Sequence, residues 1–389
     1  MDSYEGNWLE PPGRSRSASE ASGLHQFKTV ARPADKVGNL MDKVASGVSS
    51  AKAAGLRYAS GDKPGITREK RGSGFVYRDP KGRIVKDAKT LKRIRSLVLP
   101  PAWVDVWIAT DPRAHLQATG RDAAGRKQYR YHAGWRVERD STKYHSMLDF
   151  AAVLPAIRKR TRRDMMGPAY CRSRVLATVV ELLSRTYIRI GNEEYMRKHK
   201  SHGLTTLHDR HVKVRGRRLH FTFRGKSGVL QSIEIEEPRL AKAVRECQDL
   251  PGQMLFQYRD DQRKIKSLTS TDINKYLGEV TGASFTAKDF RTWAGTLAAA
   301  EALDELEVPE TKTAINRTIV KAIDSVAATL GNTRAVCRSS YIHPAVIDSF
   351  KDGVTLSKVS VAATPRGLQE SEARLVSLLR RSLRVRRAA

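Results

Sequence analysis

Residues 172–191 read RSRVLATVVELLSRTYIRIG, and the spacing of their apolar members decides the architecture of the larger part of the chain. Val175, Val179, Leu182, Leu183, Tyr187 and Ile190 recur with a period of about 3.6, which predicts an amphipathic helix, and Gly191 is placed to end it. Downstream the period changes to two. Val212 and Val214 alternate, Arg215-Gly216-Arg217 turns, and Leu219, Phe221 and Phe223 alternate again. Arg224-Gly225-Lys226-Ser227-Gly228 turns once more before Ile233 and Ile235, so a small antiparallel sheet is expected inside a helical region. Helical patterns then run to about Phe350. Upstream, Gly74 to Tyr77 reads as a strand, Asp79 to Gly82 as a turn and Ile84-Val85 as the returning strand. A short helix carries Leu91, Ile94 and Leu97 until Pro100-Pro101 ends it, and Val104, Val106 and Ile108 alternate.

The expected class is α+β: a small N-terminal β-rich domain, then a larger, mainly α-helical catalytic domain containing a small antiparallel sheet. Residues 1–67 lack a sustained apolar period and are expected to be a flexible basic arm. The β-rich domain spans 68–142 and the helical one 143–360. The stretch 361–389 is expected to be a basic tail with an amphipathic, arginine-rich helix.

Charge names the partner. Lys and Arg total 71 against 41 Asp and Glu, a formal net charge of +30 over 389 residues. Self-repulsion on that scale is relieved by a polyanion, and each neutralised phosphate releases a condensed counterion. Nucleic acid is therefore the expected partner, with a membrane surface or an acidic protein as alternatives, and charge alone would equally suit a non-catalytic DNA-binding protein. Three cysteines without CxxC spacing point to a reducing, intracellular compartment. The first residues lack signal-peptide order, and no apolar run approaches the ~20 residues that span a bilayer. The expected location is the cytoplasm, on the nucleoid.

Several stretches carry candidate chemistry. Gly125 to His132 concentrates Arg126, Lys127 and Arg130 with Gln128, Tyr129 and Tyr131. Arg and Lys suit phosphates, and Gln can read adenine. His199, His202, His208 and His211 form two H-x-x-H pairs, but no thiolate is near and a predicted strand over 204–207 would separate them, which argues against zinc. Gly225-Lys226-Ser227 lacks the glycine that a phosphate loop needs at His220, and Asp260-Asp261 lies among cations and reads as a solvated turn. Arg189 stands between Ile188 and Ile190, and Arg291 between Phe290 and Trp293; arginine in apolar company needs an anion.

Taken together, these residues resemble the short bacterial and poxvirus type IB DNA topoisomerases. The resemblance runs from about Gly72 to Phe350 through ordered blocks. They are Gly120-Arg121-Asp122 with Gly125 to His132, Arg189 to Glu193, Gly203 to Leu207 ending in Arg210-His211, Lys226-Ser227-Gly228, Lys288 to Trp293, and Ser339 to Pro344. It implies that Tyr341 is the nucleophile, forming a 3′-phosphotyrosyl bond and releasing a 5′-hydroxyl. Arg189 and Arg291 would clamp the non-bridging oxygens, Lys226 would be the general acid, and Lys288 would assist. The partner it implies is double-stranded DNA, which Arg126, Lys127, Gln128, Tyr129, Tyr131 and Tyr195 would contact. The position nine before the tyrosine, commonly His in this family, is Asn332, which can donate a hydrogen bond but carries no proton charge. The resemblance further implies a monomer that relaxes both signs of supercoil with no cofactor, neither ATP nor metal. Tyrosine recombinases share the chemistry but generally carry H-x-x-R where this chain has Lys288-x-x-Arg291.

Overall fold

In the computed structural model, which describes residues 47–361 and 365–388 (side chains at 137, 140–145 and 384–388 excepted), the chain divides between Glu138 and Arg139 into two units. Residues 1–46 of the expected N-terminal arm lie outside the described residues. The described remainder is structured: residues 47–53 form a helix, α1, and Ile66–Arg71 is already the first strand, β1.

The first unit is built on one antiparallel sheet of β1, β2 (Gly74–Arg78), β3 (Val104–Ile108), β4 (Leu116–Arg121) and β5 (Lys127–Tyr131), in the order β2-β1-β3-β4-β5. Helix α2 (Ala88–Ser96) starts at Asp87, whose carboxylate accepts from the Thr90 N–H, and buries Ile94 with Ile66, Val106, Ile108 and Ala118. The partner of β2 differs from expectation. It pairs along its whole length with β1, and Ile84 meets Arg78 only as an isolated bridge. Strand β1 escaped the sequence reading because five of its six residues are polar, leaving no alternation to detect.

Helix α3 (Ala133–Asp164) spans the division, and the second unit continues with α4 (Arg172–Thr186) and α5 (Glu193–His199). A three-stranded sheet follows, β6 (Val212–Arg215), β7 (Arg218–Arg224) and β8 (Leu230–Glu236), with Phe221 facing Ile233 and Leu219 facing Ile235 as the alternation requires. Helix α6 (Pro238–Gln248) leads to the short pair β9 (Gln257–Arg259) and β10 (Ile265–Ser267). Helices α7 (Ser270–Thr281), α8 (Ala287–Asp304), α9 (Lys312–Leu330), α10 (Arg334–Ser340), α11 (Pro344–Lys351) and α12 (Glu370–Ala388) complete the chain. One core holds the unit together; Phe150 packs edge-on against Phe285 and Phe290, ring centroids 5.4 and 5.1 Å away.

Two expectations are corrected here. Helix α4 stops at Thr186, before Gly191, because Tyr187 takes the left-handed conformation (φ +53°) and its N–H closes on the Leu183 carbonyl. The stretch 361–389, read as a tail from its arginines, instead contributes Leu375, Val376, Leu378 and Leu379 to the core, with α12 packed on α8 and α11. Arg384, Arg386 and Arg387 lie outside the described side chains.

Glu372 anchors α12. It is 2% exposed, takes both Arg158 guanidinium nitrogens at 2.7 and 2.8 Å, and accepts from Trp293 Nε1 at 3.2 Å. Burial works against its charge, but the Arg158 hydrogen bonds win and hold the carboxyl below the usual range. Glu372→Ala should cost about 2–4 kcal/mol, because it leaves the part-buried Arg158 guanidinium, 29% exposed, without its carboxylate, and melting or urea denaturation will measure it.

Candidate active site

Two helix C-termini build the centre of the site. Helices α4 and α9 end in left-handed residues, Tyr187 and Gly331, leaving carbonyl oxygens without intrahelical partners. Arg291, on α8 and 4% exposed, donates through Nη1 to the Tyr187 carbonyl and through Nη2 to the Leu330 carbonyl at 2.7 Å. Arg189, which follows α4, donates to the Gly331 carbonyl at 3.3 Å and to Asn332 Oδ1. The negative ends of two helix dipoles thus tolerate two guanidiniums. No carboxylate pairs with either among the described residues. Arg291 Nε is buried without a partner. Burial first, then the neighbouring charge of Arg291, lowers the Arg189 pKa. Such a pair is poised for an anion.

Tyr341 stands directly over this pair. Its ring centroid lies 5.2 Å from Arg291 Cζ. The residue ends α10, with its N–H bonded to the Cys337 carbonyl at 2.9 Å. Its own carbonyl accepts from Thr296 Oγ1 at 3.0 Å, and that same hydroxyl oxygen receives the His343 N–H at 3.1 Å. Gly295 makes the approach possible, since a Cβ there would stand 2.9 Å from the Tyr341 carbonyl oxygen and 3.0 Å from its Cβ. One face of α8 therefore sets both Arg291 and the tyrosine.

Lys226 reaches the site from the β7–β8 hairpin, lining one small pocket with Arg189, Arg291, Tyr187 and Gln231; Asn332 and Lys226 both line the open cleft beside it. Asn332 offers its oxygen to Arg189, while its Nδ2 makes a long 3.4 Å bond to the Leu330 carbonyl. Lys288 is exposed in the first turn of α8, one turn before Arg291, and lines neither cavity.

Among the DNA-contact candidates, β5 is an edge strand. Tyr129 and Tyr131 stack with centroids 6.1 Å apart, and Lys127 Nζ lies 5.9 Å over the Tyr129 ring. Arg126 and Gln128 both donate to Asp122 Oδ2 at 2.8 Å, so one carboxylate aligns them. Arg130 is spent inside the unit on the Leu97 and Val98 carbonyls. Tyr195, on α5, is 56% exposed.

The sequence reading missed what fixes Arg189. Residues Leu204–Thr206 form a 3-10 turn rather than the predicted strand. From it Leu204 N donates to the Arg189 carbonyl at 2.8 Å, and Thr205 N and Oγ1 to the Ile190 carbonyl at 2.7 and 2.8 Å. A Cβ on Gly203 would lie 2.4 Å from the Arg189 carbonyl oxygen and 2.6 Å from Gly191 N, all backbone. Gly203→Ala should shift Arg189 and slow strand cleavage about 100-fold. Its stability cost should stay near ~1–3 kcal/mol, so that rate and melting temperature measured together separate the two effects.

The same turn gathers three imidazoles that a strand would have parted. The His202 ring lies 4.4 Å from His211 and 5.2 Å from His208. Burial, then the His202 and His208 charges, pushes His211 down to about 4. Below 6.5 the unfolded chain takes up a proton that the folded one refuses until about 4, so stability should fall with pH across that window and level off beneath it. Allowing for partial solvent access, the loss should be about 2 kcal/mol, and denaturant titrations of His211→Gln should show it flattened.

A phenol, two anion-seeking guanidiniums and a lysine in one place can hold a phosphodiester and present a nucleophile to it, which is the class of site this fold builds. Residues 132–365 match the family described as "Eukaryotic DNA topoisomerase I, catalytic core", and residues 74–122 match "Bacterial DNA topoisomerase IB, N-terminal domain". The chain is 33% identical over 295 residues to the DNA topoisomerase 1B of Acanthamoeba polyphaga mimivirus, covering 74% of this chain and 88% of that protein. It is 20% identical over 244 residues to DNA topoisomerase 1B of vaccinia virus (strain Copenhagen), covering 62% and 74% respectively. The chain belongs to the type IB DNA topoisomerases. It is an enzyme that acts on DNA and changes its topology. No described helix is long and apolar enough to cross a membrane.

Proposed function

We propose that this enzyme relaxes positive and negative supercoils through a transient 3′-phosphotyrosyl break in one strand, without ATP or metal. Tyr341 Oη attacks the phosphorus, the P–O5′ bond breaks and a P–Oη bond forms; the phenolic proton passes to solvent. Arg189 and Arg291 hold the non-bridging oxygens as charge builds on them. Lys226 gives its proton to the leaving 5′ oxygen and recovers it when the 5′-hydroxyl attacks back. Lys288, outside the pocket, assists by drawing the neighbouring backbone phosphate toward α8. Asn332 keeps Arg189 in place by accepting from it. Arg126, Lys127, Gln128, Tyr129, Tyr131 and Tyr195 hold the duplex. One copy supplies every group invoked, so a monomer suffices.

The observation that carries this reading is the pair of guanidiniums beside the Tyr341 ring, braced by helix-end carbonyls with no carboxylate to neutralise them. A neutral phenol is a weak nucleophile, and two adjacent guanidiniums stabilise the negative charge that builds in the transition state. The new ester conserves the energy of the broken one, so religation needs no nucleotide. The free 5′ end rotates about the intact strand, releasing either sign of supercoil.

The test is relaxation of positively and negatively supercoiled plasmid in EDTA without ATP, with covalent adducts trapped by denaturant. Relaxation of both signs and an adduct on the 3′ phosphate are expected. A dependence on ATP, or an adduct on the 5′ end, would overturn the mechanism.

A further inference from the structure

The β7–β8 hairpin that carries Lys226 meets the C-terminal end of α9 through the side chain of Gln231. Gln231 is the second residue of β8, opposite Phe223, and lines both the small pocket and the cleft. Its stem lies against the hairpin: a Cβ on Gly225 would stand 3.0 Å from Gln231 Cγ. Its carboxamide lies against the end of α9, where a Cβ on Gly331 would stand 2.8 Å from Oε1 and 3.0 Å from Nε2.

The two glycines are required for different reasons. Gly331 has φ +56°, which by itself favours glycine. Gly225 has φ −87° and ψ −161°, extended backbone open to any residue, so what excludes a side chain there is the stem of Gln231. The carboxamide makes no hydrogen bond to protein among the described residues, so its contribution is its length and volume. Arg189 holds the carbonyl of Gly331 itself and the side-chain oxygen of Asn332 next to it.

We propose that Gln231 is a positioning residue, a spacer that seats the Lys226 hairpin against the C-terminal end of α9 and so sets the distance between the general acid and the arginine-bound phosphate. The inference rests on the acid role proposed for Lys226. A spacer acting through an acid has a signature that a merely structural residue lacks. Its loss slows departure of a leaving group that needs a proton, and leaves untouched one that does not.

The experiment is single-turnover cleavage of a duplex carrying a mapped cleavage site, with either oxygen or sulfur at the bridging 5′ position. A thiolate leaves without protonation. On the oxygen substrate Lys226→Ala should lose about 10²–10⁴-fold, and Gln231→Ala about 10–100-fold. Gly225→Ala, pressing on the same contact from the hairpin side, should lose a comparable factor. All three should cleave the sulfur substrate near the wild-type rate, and Gln231→Met, which keeps the length without the amide, should recover most of the loss on oxygen. If Lys226→Ala is not rescued by sulfur, the acid role falls and the proposal with it. If Lys226→Ala is rescued and Gln231→Ala is not, the proposal alone is overturned. Failure of Gln231→Met to recover activity overturns it too, because the amide would then be touching DNA directly.

Discussion

Replacing Tyr341 by phenylalanine is expected to abolish both the covalent adduct and plasmid relaxation while leaving DNA affinity and thermal stability as they are. The structure says why the loss should be so cleanly divided. Tyr341 is held through its backbone, by the Cys337 carbonyl and the Thr296 hydroxyl, and through its ring over Arg291. Phenylalanine keeps all three. What disappears is one oxygen, and with it the only bond that can join the protein to the strand in the proposed mechanism. Removing a nucleophile costs about 10⁴-fold or more when no other group can take its place. Denaturing gels for the adduct, gel shifts for affinity and melting curves for the fold read the three consequences separately. An adduct persisting in the variant would place the nucleophile elsewhere and dismantle the reading of this site.

How far the site can be read from residues alone depends on what each residue does. Arg189 and Arg291 stand out because a cation inside an apolar period is expensive, and the expense marks a purpose. Tyr341 has no such mark and emerges only through its motif. Gly203 showed only as a member of a family block, and Gly295 and Thr296 not at all: a glycine or threonine inside a helix or turn pattern carries no sign of the backbone it admits. Their role exists only once segments far apart in sequence have met. The same holds for helix ends. A glycine after an apolar run was the natural stop for α4, yet Tyr187 takes the left-handed cap, and in doing so aims its carbonyl at Arg291. The three-stranded sheet was legible because its alternation is strict, whereas β1 was hidden by its charges, and α12 was legible as an amphipathic helix but not as part of the core. Leu375, Leu378 and Leu379 are buried, and so is Glu372, which meets Arg158 and Trp293. The arginines suggested a solvated tail because nothing in the sequence shows that α8 and α11 lie ready to cover the apolar face. Asn332 shows the opposite limit: its identity excluded proton transfer from the outset, but only geometry reveals that its oxygen is turned toward Arg189.

Arg291→Gln should separate catalysis from folding most sharply. The wild-type guanidinium is buried beside Arg189 and the Tyr341 ring, and among the described residues its Nε is an orphan and its hydrogen-bond partners are carbonyl oxygens. Such a cation is an unfavourable thing to bury, and the fold tolerates it because α4 and α9 point their negative ends at it. Glutamine can still donate to one of the two carbonyls, and it removes the repulsion that helps to lower Arg189. Melting temperature in the absence of DNA should therefore change little. Strand cleavage should fall about 10²–10³-fold, the cost of removing one preorganised donor from a charged transition state. A second readout tests the electrostatic reasoning independently. An oxyanion such as sulfate should raise the wild-type melting temperature by occupying the space between the two guanidiniums, because a ligand that binds only the folded state stabilises it. In Arg291→Gln that gain should shrink toward the value produced by ionic strength alone. Were the variant to lose several kcal/mol of stability and respond to sulfate as the wild type does, Arg291 would be a structural bolt between α4, α8 and α9, and the anion would have to be held by Arg189 and Lys226 without it.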